Sequence, residues 1–155
     1  IYKGKPTTLG AASGGVAGLA TITPASGFVA PPAALLIGLT AGVFCYAGVV
    51  AKNKFGYDDS LDVVGIHGVG GTWGALAIGL FASKAVNDAG NNGLFFGNPK
   101  QIGIQLLAIV VTIVFTFSMT YVIAKLLKAS IGLRVSPMEE EVGLDISSHG
   151  ERSYS

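Results

Sequence analysis

PTTLGAASGGVAGLATITPASGFVAPPAALLIGLTAGVFCYAGVVA, running from Pro6 to Ala51, contains no Asp, Glu, Lys, Arg or His. Crossing the ~30 Å hydrocarbon core of a bilayer takes about 20 residues of helix, so this stretch has room for two spans. Its middle, Thr23-Pro24-Ala25-Ser26-Gly27-Phe28-Val29-Ala30-Pro31-Pro32, carries the prolines and glycine of a turn and divides it. The first helix is expected over about 7–23 and the second over about 32–51. Outward from there, 52–62 is a polar island. Val63 to Ser83 carries only His67 among charged or titrating residues, giving a third helix over about 61–83. A second loop, 84–100, holds Asn87, Asp88, Asn91, Asn92 and three glycines. Gln101 to Ala124 is uncharged and rich in Ile, Val, Leu and Phe, a fourth helix over about 101–128. The expected fold is all-α: a polytopic membrane helical bundle of four transmembrane helices over 1–128, followed by a polar tail over 129–155.

Composition agrees with lipid as the solvent. The 155 residues are 50% hydrophobic and 12% charged, with 23 glycines. A soluble domain carries roughly a quarter charged residues. The formal charge of +1, scattered in short islands, supplies no basic stripe for nucleic acid. So apolar a chain is not intrinsically disordered. Cys45, the single cysteine, cannot form an intrachain disulfide and reads as a small buried apolar residue.

Four spans place Lys3, Lys5, Lys52, Lys54, Lys125, Lys128, Arg134 and Arg152 on one side and Lys84 and Lys100 on the other. Cytoplasmic loops carry the excess of Lys and Arg, so the tail is expected in the cytoplasm. The first helix, rich in Gly and Ala and followed by a second span, is not expected to be a signal peptide. In lipid, helices approach through small residues. Pairs four apart recur at Gly14/Gly18, Ala34/Gly38/Gly42, Gly70/Gly74 and Gly71/Ala75/Gly79. The bulky run 106–115 suits a peripheral, lipid-facing fourth helix.

His67 is the sharpest chemical feature. A titrating residue inside a span is costly and by default marks a substrate path or relay. The alternative is an imidazole that only hydrogen-bonds a neighbouring helix. Gly68, Gly70, Gly71 and Gly74 leave space beside it that a packed structural site would fill. A bis-histidine haem or a zinc site needs further ligands, and the other histidine, His149, lies in the tail. Nor does Asp62, five residues before His67, stack on the ring as a catalytic orienter would. No cofactor and no enzymatic chemistry are expected.

The segment Asp62-Val63-Val64-Gly65-Ile66-His67-Gly68-Val69-Gly70-Gly71 resembles the D-x-x-G-x-H-G-x-x-G pattern in the tenth span of the ammonium transporter (Amt/Mep/Rh) family. Gly18 to Val29 looks like the end of that family's eighth span. Gly132-Leu133-Arg134-Val135, Glu139-Glu140-Glu141, Gly143-Leu144-Asp145, His149-Gly150-Glu151 and Tyr154 look like the tail of its Amt/Mep branch. The resemblance implies the C-terminal portion of a protein of about eleven spans, which moves ammonium or ammonia through a hydrophobic pore lined by two histidines. His67 matches the second of them. The first, on the fifth span, has no counterpart here, so a fragment of this kind is not expected to conduct alone. Thr23 matches a threonine near the outer vestibule, with capping of carbonyls released by Pro24 as its structural alternative. Asp62 is read as support, its carboxylate accepting N–H groups where the third helix begins. Trp73 and Phe81 fit either a pore lining or a lipid face.

The tail carries its own signal. Ser136-Pro137-Met138-Glu139 is a capping box with proline at the first helical position, predicting a short helix over about 137–142 that stops at Gly143. In the family such a tail packs on the cytoplasmic face of a homotrimer and is read by PII-type regulators. That makes Gly143, Leu144, Asp145, His149, Gly150 and Tyr154 the implied regulatory residues, with Ser147 and Ser148 as weakly signalled phosphorylation candidates. The implied partners are thus ammonium, the bilayer, the N-terminal half of the transporter, two further copies and a regulator. The competing readings are a membrane sensor or interaction module of the same fold that conducts nothing and a four-helix cofactor-binding subunit whose second ligand comes from a partner chain.

Overall fold

A computed structural model describes residues 4–152, all of them helix, turn or loop. The chain divides into two compact units, Ile1–Val111 and Thr112–Ser155. Helix α1 covers Thr8–Ile22, opened by the Thr7 hydroxyl, which accepts the Gly10 N–H at 3.0 Å. It tightens into a 3-10 turn over Thr23–Ala25, where Pro24 has no N–H to continue the helix. α2 covers Pro31–Phe55, with proline at its first positions and Gly56 closing it in the left-handed region (φ 66°). The third helix begins as a π turn, Val64–Val69, and continues as α3, Gly70–Phe81. α4 covers Lys100–Ser130. The second unit adds α5, Pro137–Val142, and α6, Leu144–His149.

Three of these stretches are long and apolar enough to cross a membrane: Pro31–Phe55, Val64–Phe81 and Lys100–Ser130. The first helix, expected as a span, is not among these three. At 15 residues, α1 is about 22 Å long, and the 3-10 turn adds about 6 Å. The second helix runs past the expected end at 51. Lys52 and Lys54 therefore lie in its last turn, where cations complement the helix dipole, rather than in the loop.

Glycine sets the packing of the third helix. A methyl on Gly74 would stand 1.9 Å from the Thr21 carbonyl oxygen, and one on Gly70 would stand 2.6 Å from the Thr21 hydroxyl. Gly79 faces α4 less tightly, where a methyl would be 3.0 Å from Ile102 Cα. Gly65 and Gly48 bring the π turn against α2, since a methyl on Gly65 would be 2.7 Å from the Val49 nitrogen. The other small pairs face open space in this chain: nothing lies within 4 Å of such a methyl on Gly14, Gly18, Gly38, Gly42 or Gly71. Two apolar clusters fill the contacts. Ala25, Val29, Ile37 and Ala77 form one, and Ala17, Cys45 and Ile66 the other. The fourth helix carries its apolar side chains outward, with Phe117 73% exposed.

In the second unit the capping box is closed: Ser136 Oγ accepts the Glu139 N–H, and Glu139 Oε2 accepts the Ser136 N–H at 2.7 Å. The helix stops at Gly143, whose φ of 100° only glycine adopts without strain. Beyond it α6 is not expected from the sequence; its Ser147 hydroxyl donates within the helix to the Gly143 carbonyl at 2.9 Å and lies 3.5 Å from the Glu139 carbonyl of α5.

Candidate functional site

The site is built where the foot of α2 meets the start of the third helix. Asp59 does the capping that the sequence reading gave to Asp62. Its two carboxylate oxygens accept the N–H groups of Val63 and Val64, each at 2.9 Å. Asp62 turns the chain instead, in the left-handed region (φ 57°), and is the one described non-glycine residue with positive φ. In that conformation its carboxylate points back to α2 and pairs with the Lys52 ammonium. The same ammonium donates to the Asp59 carbonyl at 2.7 Å. Asp62 thus makes an ion pair with Lys52 rather than the expected cap.

The π turn follows directly. Its first carbonyl contact is ordinary, the Ile66 N–H donating to the Asp62 carbonyl at 2.9 Å. The next turn carries one extra residue. Such single-turn π segments recur at functional sites, since the i→i+5 spacing is poorer than the α-helical one and persists only where neighbours hold it. Here Cys45 contributes. It is 2% exposed, and its Sγ lies 3.6 Å from the Ile66 carbonyl, to which it donates, and 3.9 Å from the Thr21 hydroxyl. The cysteine is buried as expected, and it is also a polar fixture. Thr21, fully buried in the same contact, carried no signal beyond its place in an apolar helix.

His67 stands on this turn with its imidazole exposed and no hydrogen bond to a described residue. It lies between Gly65, pressed on α2, and Gly70, pressed on Thr21, so the backbone on both sides of it is fixed. Neutral imidazole offers one donor and one acceptor nitrogen. Both are available to a small hydrogen-bonding species passing that face. Among the described residues no three His, Cys, Asp or Glu side chains come together as a metal site.

Thr23 lies further along. Pro24 packs at Gly74, seven residues past His67, or about 10 Å along the axis. The Thr23 hydroxyl donates at 2.7 Å to the Leu19 carbonyl, which also accepts the Thr23 backbone N–H and so is not a carbonyl that Pro24 releases, and its oxygen lone pairs remain available to accept. Trp73 donates from Nε1 to the Thr40 hydroxyl at 2.9 Å and packs tilted on Phe44, with ring centres 5.0 Å apart. Phe81 joins the apolar cluster and meets Phe95 at 5.1 Å. In the tail, Leu144, Asp145 and His149 are on α6, bounded by Gly143 and Gly150. Tyr154 lies outside the described residues.

Known proteins match over almost the whole chain. A family model described as Ammonium Transporter Family matches residues 1–154. An ammonium transporter of Bacillus subtilis is 52% identical over 155 residues, 99% of this chain and 38% of that protein. The ammonium transporter Amt1 of Archaeoglobus fulgidus is 49% identical over 152 residues, again covering 38% of its length. Among solved structures, Mep2 of Saccharomyces cerevisiae superposes with a TM-score of 0.79 at 36% identity, over 86% of this chain and 31% of that one. Mep2 of Candida albicans gives 0.79 at 31% identity, over 89% and 32%. The chain thus spans little more than a third of the length of the curated relatives it matches.

Proposed function

Because this chain belongs to the Ammonium Transporter Family, we propose that it forms the C-terminal part of a multi-pass transporter that carries ammonium or ammonia past the imidazole of His67. The observation that carries this reading is the exposed imidazole, without a hydrogen bond among the described residues, on a π turn inside a span-length apolar helix. Ammonium is charged at neutral pH, and the idealised cost of moving such an ion bare into hydrocarbon is about 20 kcal/mol. Giving up its proton removes most of that cost. The acceptor nitrogen of a neutral imidazole receives an N–H from ammonium or ammonia, whereas K⁺ has no N–H to offer. Selectivity and passage then share one group.

His67 works with a second pore histidine supplied by the remaining part of the transporter, each ring fixing the other's tautomer and passing the proton. Alone, this chain lacks that partner and does not conduct. Thr23, with lone pairs to spare, is an N–H acceptor at the outer end of the path. The tail lies in the cytoplasm, contacts the neighbouring subunit of a homotrimer and is the place where a PII-type regulator acts, through the α5–α6 segment that includes Gly143, Leu144, Asp145, His149 and Gly150. The tail's own capping box and Ser147 contact give it the order that such recognition needs.

The test is methylammonium uptake in cells lacking their own ammonium transporters. This chain alone, the full-length protein and full-length His67→Ala are compared at matched amounts in the membrane. The expected result is uptake by the full-length protein only, reduced at least ~100-fold in His67→Ala, the range for losing a positioned acid–base group. A well-inserted full-length protein without uptake would make the chain part of a non-conducting sensor.

A further inference from the structure

The π turn is gripped at two points by one face of α2. Cys45 and Lys52 are seven residues apart, two helical turns, and so project from the same side of α2 about 10 Å apart. Cys45 reaches the Ile66 carbonyl in the middle of the turn. Lys52 reaches Asp62 just before it, and also the carbonyl of Asp59, whose carboxylate closes on the first two helical N–H groups. Between them, the Gly48–Gly65 contact leaves no room for the backbones to slide.

Two features here are costly in themselves. A left-handed backbone at a non-glycine residue costs roughly 1–2 kcal/mol, and Asp62 adopts one. The π turn holds one residue more than an α turn. Were it to relax, every residue upstream of the anchored Gly70 and Gly74 would rotate by about 100°, the angle one residue occupies in an α-helix. His67 is upstream of that anchor. Its direction therefore depends on what keeps the extra residue in place, and the charge that does so is on Lys52, whose side chain is only 20% exposed and whose Asp62 partner is 31% exposed.

We infer that Lys52 is a positioning residue for transport: by pairing with Asp62 it holds the π turn and thereby aims the His67 imidazole, without touching the transported species. The inference rests on the reading of His67 as a pore group. Its test also has a readout independent of transport. Full-length wild type, Lys52→Met and Lys52→Arg are compared for methylammonium uptake per inserted molecule. In the same membranes His67 is modified with diethyl pyrocarbonate, and mass spectrometry gives its rate relative to His149 in the same molecule.

Lys52→Met is expected to lower uptake about 10- to 100-fold, the scale on which a displacement of about 1 Å acts. It is expected to change the His67 rate severalfold while that of His149 stays constant. Lys52→Arg, which keeps the charge and adds donors, is expected to recover both within about twofold. A merely structural lysine would lower the amount of inserted protein and leave both per-molecule quantities alone. An unchanged His67 rate in Lys52→Met overturns the inference whatever happens to uptake. If instead the wild type does not transport and the His67 rate still shifts in Lys52→Met, the positioning stands and the pore reading falls.

Discussion

Gly74→Ala isolates the contact that seats the third helix on the first. The added Cβ would meet the Thr21 carbonyl oxygen at 1.9 Å, with the Thr21 carbonyl carbon at 3.0 Å and Pro24 Cδ at 3.1 Å. Real Cβ atoms essentially never come closer than 3.0 Å, so the two backbones must part by at least 3.0 − 1.9 = 1.1 Å. A gap of 0.5–1 Å already forfeits roughly a quarter to a half of each van der Waals contact, and it does so along the whole seam. Overpacking of this kind costs about 1–3 kcal/mol, and a backbone obstacle puts it at the upper end. Gly71→Ala, one residue round the helix from Gly70 with nothing within 4 Å, is the matched control and gains up to ~1 kcal/mol of helix propensity. Thermal unfolding of the two full-length variants in detergent separates them. At about 1 °C per kcal/mol for a protein of roughly 400 residues, Gly74→Ala should unfold about 3–4 °C below wild type while Gly71→Ala matches or exceeds it. Equal midpoints for the two variants would refute the seam.

Two more predictions concern the polar ends of helices. Asp59→Ala, which strips the caps from Val63 and Val64, should lower stability by about 1–2 kcal/mol, whereas Asp59→Asn, with one acceptor oxygen in place of two, should retain about half of it; equal losses in thermal unfolding would show that Asp59 does not cap. The Ser136 backbone N–H and then its hydroxyl hold the Glu139 carboxyl below its ordinary pKa of 4.5. A group whose folded pKa is depressed contributes stability that is present above the unfolded value and lost as pH falls through the folded one. Amide exchange across 137–142 should therefore stay slow near neutral pH, after correction for intrinsic exchange, and lose protection below about pH 4.5. Protection that holds unchanged at low pH, or the same pH response in Glu139→Gln, would refute it.

The long helices were legible because the absence of charge is a one-dimensional signal: Pro6 to Ala51 declares itself whatever packs against it. So was the capping box, whose partners lie three residues apart. What the sequence left hidden depends on partners distant along the chain. Glycines spaced four apart show where a backbone is able to approach, not what approaches. Hence Gly70 and Gly74 meet Thr21 while Gly14, Gly18, Gly38 and Gly42 meet nothing here, and the Gly48–Gly65 contact, one glycine from each helix, makes no pattern in either. The choice between Asp59 and Asp62 as the cap was a matter of local backbone. Once Asp62 turns left-handed its carboxylate leaves the helix axis, and the residue four before Val63 takes its place. α6 is six residues long, too short for periodicity to register.

The π turn is the instructive case, because it joins these hidden contacts to the chemistry. Apolar burial does little to fix one helix against another in lipid, where the surrounding chains are as apolar as the side chains. The third helix is therefore held by what lipid cannot supply: backbone contact at Gly65, Gly70 and Gly74, a thiol on a carbonyl, and an ion pair at its foot. These fixtures act on both sides of His67 and not on it. A costly backbone and an unpartnered imidazole then coexist because the first is maintained from α2 and α1, which leaves the second available. Substitutions at Lys52 or Gly74 should accordingly disturb the imidazole's surroundings from opposite ends of the helix, with effects that are non-additive when combined, since both act on the same turn.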